Sequence, residues 1–196
     1  MKKAAWYIVN GLTLYRVLAF LFLSVLLIKG NRELFRVFLP LSFLTDAIDG
    51  MLARKFRVAS TMGSRLDSLG DDLTILAGIL GVIVFDATFI IQHLVLVMML
   101  TGLVIIQFSI ALYRFGRFTS YHTYLAKLAA ILQGSFLILF FWISPAPVTV
   151  FYCAAAITLL ELLEEIILVI FLPCWKVNVK GLYWVRGELN IKKFHQ

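Results

Sequence analysis

Four aspartates carry the strongest chemical signal in this chain. Asp46 and Asp49 stand three residues apart, and Asp67 and Asp71 four apart. On helices, each pair lies on one face. Two such helices side by side would gather four carboxylates, whose repulsion calls for protonation or for a cation. Hard divalent cations take oxygen ligands, and a two-metal site suits chemistry on phosphates. Gly50 directly follows Asp49, and Gly63 stands four residues before Asp67. Glycine removes bulk where a substrate or a second backbone must come close. Arg54, eight residues after Asp46, adds a permanent charge whose fork fits a phosphate.

These acids sit in a hydrophobic chain. The stretch is entered through LFRVFLPLSFLT and left through LTILAGILGVIVF. Acids beside hydrocarbon are costly and mark functional sites. With 62% hydrophobic residues and a mean hydropathy of +0.95, the composition is that of a membrane protein. Its 196 residues suit a single domain over 1–196. In a soluble protein a net charge of +7 would suggest nucleic acid. Here the basic residues fall between apolar runs and at the C-terminus, which fits an anionic lipid surface and no nucleic acid. Cys153 and Cys174 lack metal-ligand spacing and read as packing residues.

Taken together, Asp46-x-x-Asp49-Gly50-x-x-Ala53-Arg54, eight residues, then Gly63-x-x-x-Asp67-x-x-x-Asp71 resembles the signature of the CDP-alcohol phosphatidyltransferases. Every position of that motif is filled at the family's spacing. The hydropathy pattern resembles the family over nearly the whole chain. Salt-bridged acids at two helix ends would not reproduce eight fixed positions.

The elements that must position the motif follow from hydropathy. Residues 1–9 read as a short interfacial segment. Six transmembrane helices are predicted at about 12–28, 34–56, 66–85, 91–112, 122–143 and 148–172, an all-α integral membrane fold. Pro40 is a candidate kink in the second. Ala77, Gly78 and Gly81 of the third suit close helix packing or a dimer face. Trp6, Tyr7, Tyr113, Trp142, Trp175 and Trp184 stand near span ends, as an aromatic belt requires. The segments 54–65, 114–117 and 176–193 are rich in Lys and Arg, whereas 86–91 and 144–147 hold none. This bias predicts cytoplasmic N- and C-termini, with the aspartates at the cytoplasmic face. Lys29, Arg32 and Arg36 in the first loop break the rule.

The resemblance implies transfer of a phosphatidyl group from CDP-diacylglycerol to an alcohol hydroxyl, with release of CMP. It also implies two divalent ions, Mg²⁺ or Mn²⁺. Asp46 and Asp67 would bridge both, Asp49 would ligate the first, and Asp71 would ligate the second and act as base. Gly50, Arg54 and Ser60 would contact the CDP moiety. Asn10, Thr13 and Arg16 fall roughly on one helical face, in a stretch similar to one the family often carries; Asn10 and Thr13 would cover the nucleotide. A homodimer is expected on the same ground. Asp72 points about 100° away from Asp71 on a helix, which suits capping or a structural role.

The acceptor is a small polar alcohol, and the motif is blind to which. Arg114, Arg117, His122 and Lys127 surround the loop before the fifth span, on the expected cytoplasmic side. For Arg117 the plain reading is a positive-inside anchor. Lys127, at an apolar helix start, needs a partner. An acceptor phosphate is one; Glu161, Glu164 and Glu165 in the sixth span are another. Arg114 and Lys127 are therefore the candidate acceptor contacts, with glycerol 3-phosphate favoured over inositol phosphate, serine, inositol or a second phospholipid. A compact chain without a targeting extension is expected in a bacterial cytoplasmic membrane. The reading from another class is an ion-coupled transporter, which would distribute its acids through the membrane depth.

Overall fold

The computed structural model describes residue 15 and residues 18–55, 61–116, 121, 123–172, 179 and 181–183, with backbone alone for 46–55 and 61–71. Seven helices and no strands occur among them: α1 (Leu18–Ile28), α2 (Arg32–Lys55), α3 (Thr61–Phe85), α4 (Ala87–Gln92), α5 (Leu94–Phe115), α6 (Tyr124–Trp142) and α7 (Val148–Phe171). By length and composition, α5 and α6 can cross a membrane, and Leu18–Ile28 and Asp72–Phe85 are shorter apolar stretches.

Local chemistry sets the helix boundaries. Gly30 ends α1 in the left-handed region, at φ 64°, with its N–H on the Leu27 carbonyl and that of Asn31 on Leu26, the pattern of a glycine-terminated helix. Asn31 then caps α2, its Oδ1 accepting from the Leu34 N–H at 3.1 Å. Asp86 caps α4 through the Phe89 N–H, and Thr123 caps α6 through the Ala126 N–H. Gly116 closes α5 at φ 62°.

Two differences from the sequence expectation concern the site. The third helix starts at Thr61, not near residue 66. Its first turn, TMGS, is polar and so invisible to hydropathy. Gly63 therefore lies inside α3, and Asp67 and Asp71 lie in its second and third turns. The expected span at 91–112 is preceded by α4 and broken at His93.

The chain divides into two compact units, residues 1–92 with 137–147, and residues 93–136 with 148–196. In the first, Phe35 and Leu39 of α2 and Ala77 of α3 are wholly buried. The Phe35 ring meets Phe85 at 5.6 Å and Phe141 at 5.1 Å. This closeness requires glycine. A Cβ on Gly81 would stand 2.6 Å from Phe35 and 2.9 Å from Phe141, and one on Gly78 would stand 2.6 Å from Leu137. Of the two uses the sequence allowed these small residues, packing within the chain is the one observed. Pro40 does not end α2. It lacks the N–H that would bond the carbonyl of Arg36, and the Trp142 indole donates to that carbonyl at 2.9 Å.

In the second unit α5 packs along α7. Their shared core holds Ala111, Tyr121, Leu168, Val169, Leu172 and Val179. Gln133 of α6 donates to the Thr158 hydroxyl of α7 at 2.7 Å. Cys153, expected to pack, is free and exposed.

Candidate functional site

The backbone places both acidic pairs on helices. Asp46, Asp49, Gly50 and Arg54 lie in the last turns of α2, and Asp67 and Asp71 in α3. Each pair therefore shares a helical face. The two helices pack against each other and run antiparallel, because the start of α2 meets the end of α3: Phe35 stands against Gly81 and Phe85. Eleven to fourteen residues onward from Phe35 reach Asp46 and Asp49, and the same count back from Gly81–Phe85 reaches residues 67–74. The acidic turns are thus level on neighbouring helices. Such a set consists of hard oxygen donors, the type a divalent cation of the Mg²⁺ class selects. The side chains of these residues, and Ser60, Asn10 and Thr13 altogether, lie outside the described residues.

Asp72 is exposed in the interior of α3. The helix begins eleven residues earlier, so Asp72 does not cap it.

Tyr15 supplies a contact that hydropathy could not reveal. Its hydroxyl lies 2.9 Å from Thr45 Oγ1, directly before Asp46. Thr45 Oγ1 is also 3.0 Å from the Leu41 carbonyl and 2.8 Å from that of Ser42. A threonine has one hydroxyl proton; when it serves the helix carbonyls, Tyr15 is the donor. Tyr15 is thereby tied to α2 directly before the first acidic pair. The available signal was the position of Tyr15 between Thr13 and Arg16.

The candidate acceptor residues belong to the second unit. The Arg114 guanidinium donates to the Ile170 carbonyl, serving an orphan carbonyl in the last turn of α7. The Lys127 ammonium is exposed and lies 5.5 Å over the Tyr124 ring, a cation–π contact. His122 and Arg117 lie outside the described residues.

Two of the α7 glutamates, Glu164 and Glu165, meet donors of their own chain. Glu165 is buried and accepts from Gln107 Nε2 at 2.8 Å and from the Tyr121 N–H at 3.3 Å. Glu164 Oε1 accepts the Leu182 N–H at 2.9 Å, which fastens Leu182 to α7. The Tyr121 hydroxyl is buried with no hydrogen-bond partner among the described residues. Burial, and then the Glu165 charge, push it up to about 12.

Searches of curated proteins and of solved structures return no match. The family profile described as CDP-alcohol phosphatidyltransferase matches residues 6–174, a stretch that contains both acidic pairs, Arg54 and the α2–α3 connection. That family transfers phosphatidyl groups in phospholipid synthesis and uses divalent metal ions. With most of its length matched and the acidic turns level on adjacent helices, the chain belongs to the CDP-alcohol phosphatidyltransferase family and is an enzyme.

Proposed function

We propose that the chain is a single six-span membrane domain that transfers the phosphatidyl group of CDP-diacylglycerol to a small polar alcohol and releases CMP. The observation that carries this reading is the level placement of Asp46–Asp49 and Asp67–Asp71 on antiparallel α2 and α3 within the family match. The spans correspond to α1, α2, α3, α4 with α5, α6 and α7. Both termini and the aspartates face the cytoplasm of a bacterial cell, and the enzyme works as a homodimer.

In this reading Asp46 and Asp67 would each serve both of two Mg²⁺ or Mn²⁺ ions, Asp49 the first and Asp71 the second. Such ions would supply the positive charge that a pyrophosphate and a departing CMP require. Gly50 lets the nucleotide approach α2. Arg54 and Ser60 hold the CDP moiety, and Asn10 and Thr13 cover it, steadied by the Tyr15–Thr45 hydrogen bond. The acceptor hydroxyl gives its proton to an Asp71 carboxylate oxygen as its own oxygen bonds to the phosphorus next to the lipid. The phosphorus–oxygen bond to CMP breaks in the same displacement.

Glycerol 3-phosphate is the favoured acceptor, because the exposed Lys127 ammonium offers a charge for its phosphate. The guanidinium of Arg114 adds a second. Inositol phosphate would use the same two residues; serine, inositol or a second phospholipid would not need them.

The test is CMP release by purified protein with CDP-diacylglycerol and Mg²⁺ against a panel of these acceptors, with Asp67→Asn and metal chelation as controls. Release with glycerol 3-phosphate alone, abolished in both controls, is expected. Preference for serine or inositol would remove Lys127 and Arg114 from the acceptor site. No release with any acceptor, from folded protein, would overturn the reading.

A further inference from the structure

Ahead of its aspartates, between Arg36 and Leu44, α2 forms with α6 a second arrangement that the proposed transfer chemistry leaves unused. Val37, Leu41 and Leu44 of α2 and Ile138, Leu139 and Trp142 of α6 line an open apolar groove of about 550 Å³. All of it lies within the first unit. At its mouth the Arg36 guanidinium stands 5.3 Å over the Trp142 ring. Arg36 Nη2 pairs with Glu33 at 2.6 Å, while its Nε is buried with no hydrogen-bond partner among the described residues. Lys29 and Arg32 are exposed one to two turns away. Three cations against two carboxylates, Glu33 and Asp86, leave this end of the unit net positive. Residues 83–92 and 142–147, which continue α3 and α6 at the same end of the unit, contain no Lys or Arg.

We infer that the groove binds one acyl chain of an anionic phospholipid, with its phosphate held at Arg36. The chemistry matches at both ends. An all-hydrocarbon lining suits an alkyl chain, and a half-exposed guanidinium suits a phosphate oxygen. Trp142 supplies the amphipathic ring common at a lipid headgroup boundary. Arg36 stands ten residues from Asp46, the nearest of the aspartates, about 15 Å along a helix, so this headgroup is not the CDP moiety of the donor. The inference goes beyond the transfer reaction and needs only that the protein lies in a bilayer.

Trp142 makes the site readable. Full-length protein carrying Trp6→Phe, Trp175→Phe and Trp184→Phe keeps Trp142 as its sole indole. It would be reconstituted in phosphatidylcholine vesicles containing a minor fraction of either brominated phosphatidylglycerol or brominated phosphatidylcholine. Preferential quenching by the anionic lipid is expected, with an association advantage of about fivefold for one basic residue at a bilayer surface. Arg36→Gln should bring the two lipids to parity, and Arg36→Lys, which keeps the charge, should retain part of the preference. Equal quenching in the parent, or a preference that survives Arg36→Gln, would overturn the site. So would loss of the anionic quenching when CDP-diacylglycerol is added, because the groove would then belong to the donor. Shielding from both lipids in a dimeric preparation would assign the groove to a second copy and also overturn it. None of these readouts depends on turnover.

Discussion

The two units treat carboxylates in opposite ways. In the second, Glu165 and Glu164 meet donors of their own chain: the Gln107 amide, the Tyr121 N–H and the Leu182 N–H. Acids satisfied by fixed N–H donors become struts. In the first, two acidic pairs are brought level on neighbouring helices held by aromatic rings against glycine. Gathered acids with the same charge call for protonation or for a cation from outside. The difference teaches that an acid in an apolar helix is read by what the facing element supplies, and not by its cost alone.

Exchanging one acid in each unit gives the largest separation. Asp67→Asn should lower CMP release by more than about 100-fold with the melting temperature held or raised, because a like charge is removed. Glu165→Gln should do the reverse. One of its two acceptor oxygens is lost, at a cost of about 1–3 kcal/mol, with activity per folded molecule kept. Thermal unfolding in detergent beside an activity assay decides, and the comparison fails if the two variants behave alike.

Next in size is Gly81→Val, which forces carbon into the space of Phe35 and Phe141. Overpacking of this kind costs about 1–3 kcal/mol. It should also lower activity in the folded fraction, because the α2–α3 register passes through this contact. A variant with wild-type melting and wild-type activity would show that the rings do not set the register.

A smaller loss is expected for Trp142→Phe, about 1 kcal/mol, since the Arg36 carbonyl above Pro40 loses its donor. Unchanged unfolding would mean that water serves that carbonyl equally well.

Tyr121→Phe should change least, within about 0.5 kcal/mol at neutral pH, because the removed hydroxyl has no partner among the described residues. The pH profile sharpens the point. An acid raised from 10.0 to about 12 by folding ionises first in the unfolded chain. Stability is then fully present below pH 10 and falls as pH rises toward 12. The phenylalanine variant should lack that fall, and a matching fall in both proteins would assign it to other groups.

Much of the architecture was legible because its causes are local. Spacing placed Asp46–Asp49 and Asp67–Asp71 on helical faces, and apolar runs marked α2, α6 and α7 to within a few residues. The polar first turn of α3 escaped because hydropathy sees only apolar turns. The break at His93 escaped because both of its flanks are apolar. The indole of Trp142 on the Arg36 carbonyl spans 106 residues, and no local pattern announces such a partner. Glu165 was legible as an acid in need of partners, and a neutral amide and a backbone N–H are among those it meets.

The long reach of the Gln107–Glu165 bond, 58 residues, bears on the order of assembly during synthesis. The acidic turns of α2 and α3 lie on consecutive helices and can dock as soon as that hairpin has left the ribosome. The strut of the second unit must wait for α7, and Glu164 waits longer still for Leu182. Contacts distant in sequence close late. Until they do, the Gln107–Glu165 bond is open, so truncation before residue 165 would leave a finished acidic hairpin while the second unit stays unlatched.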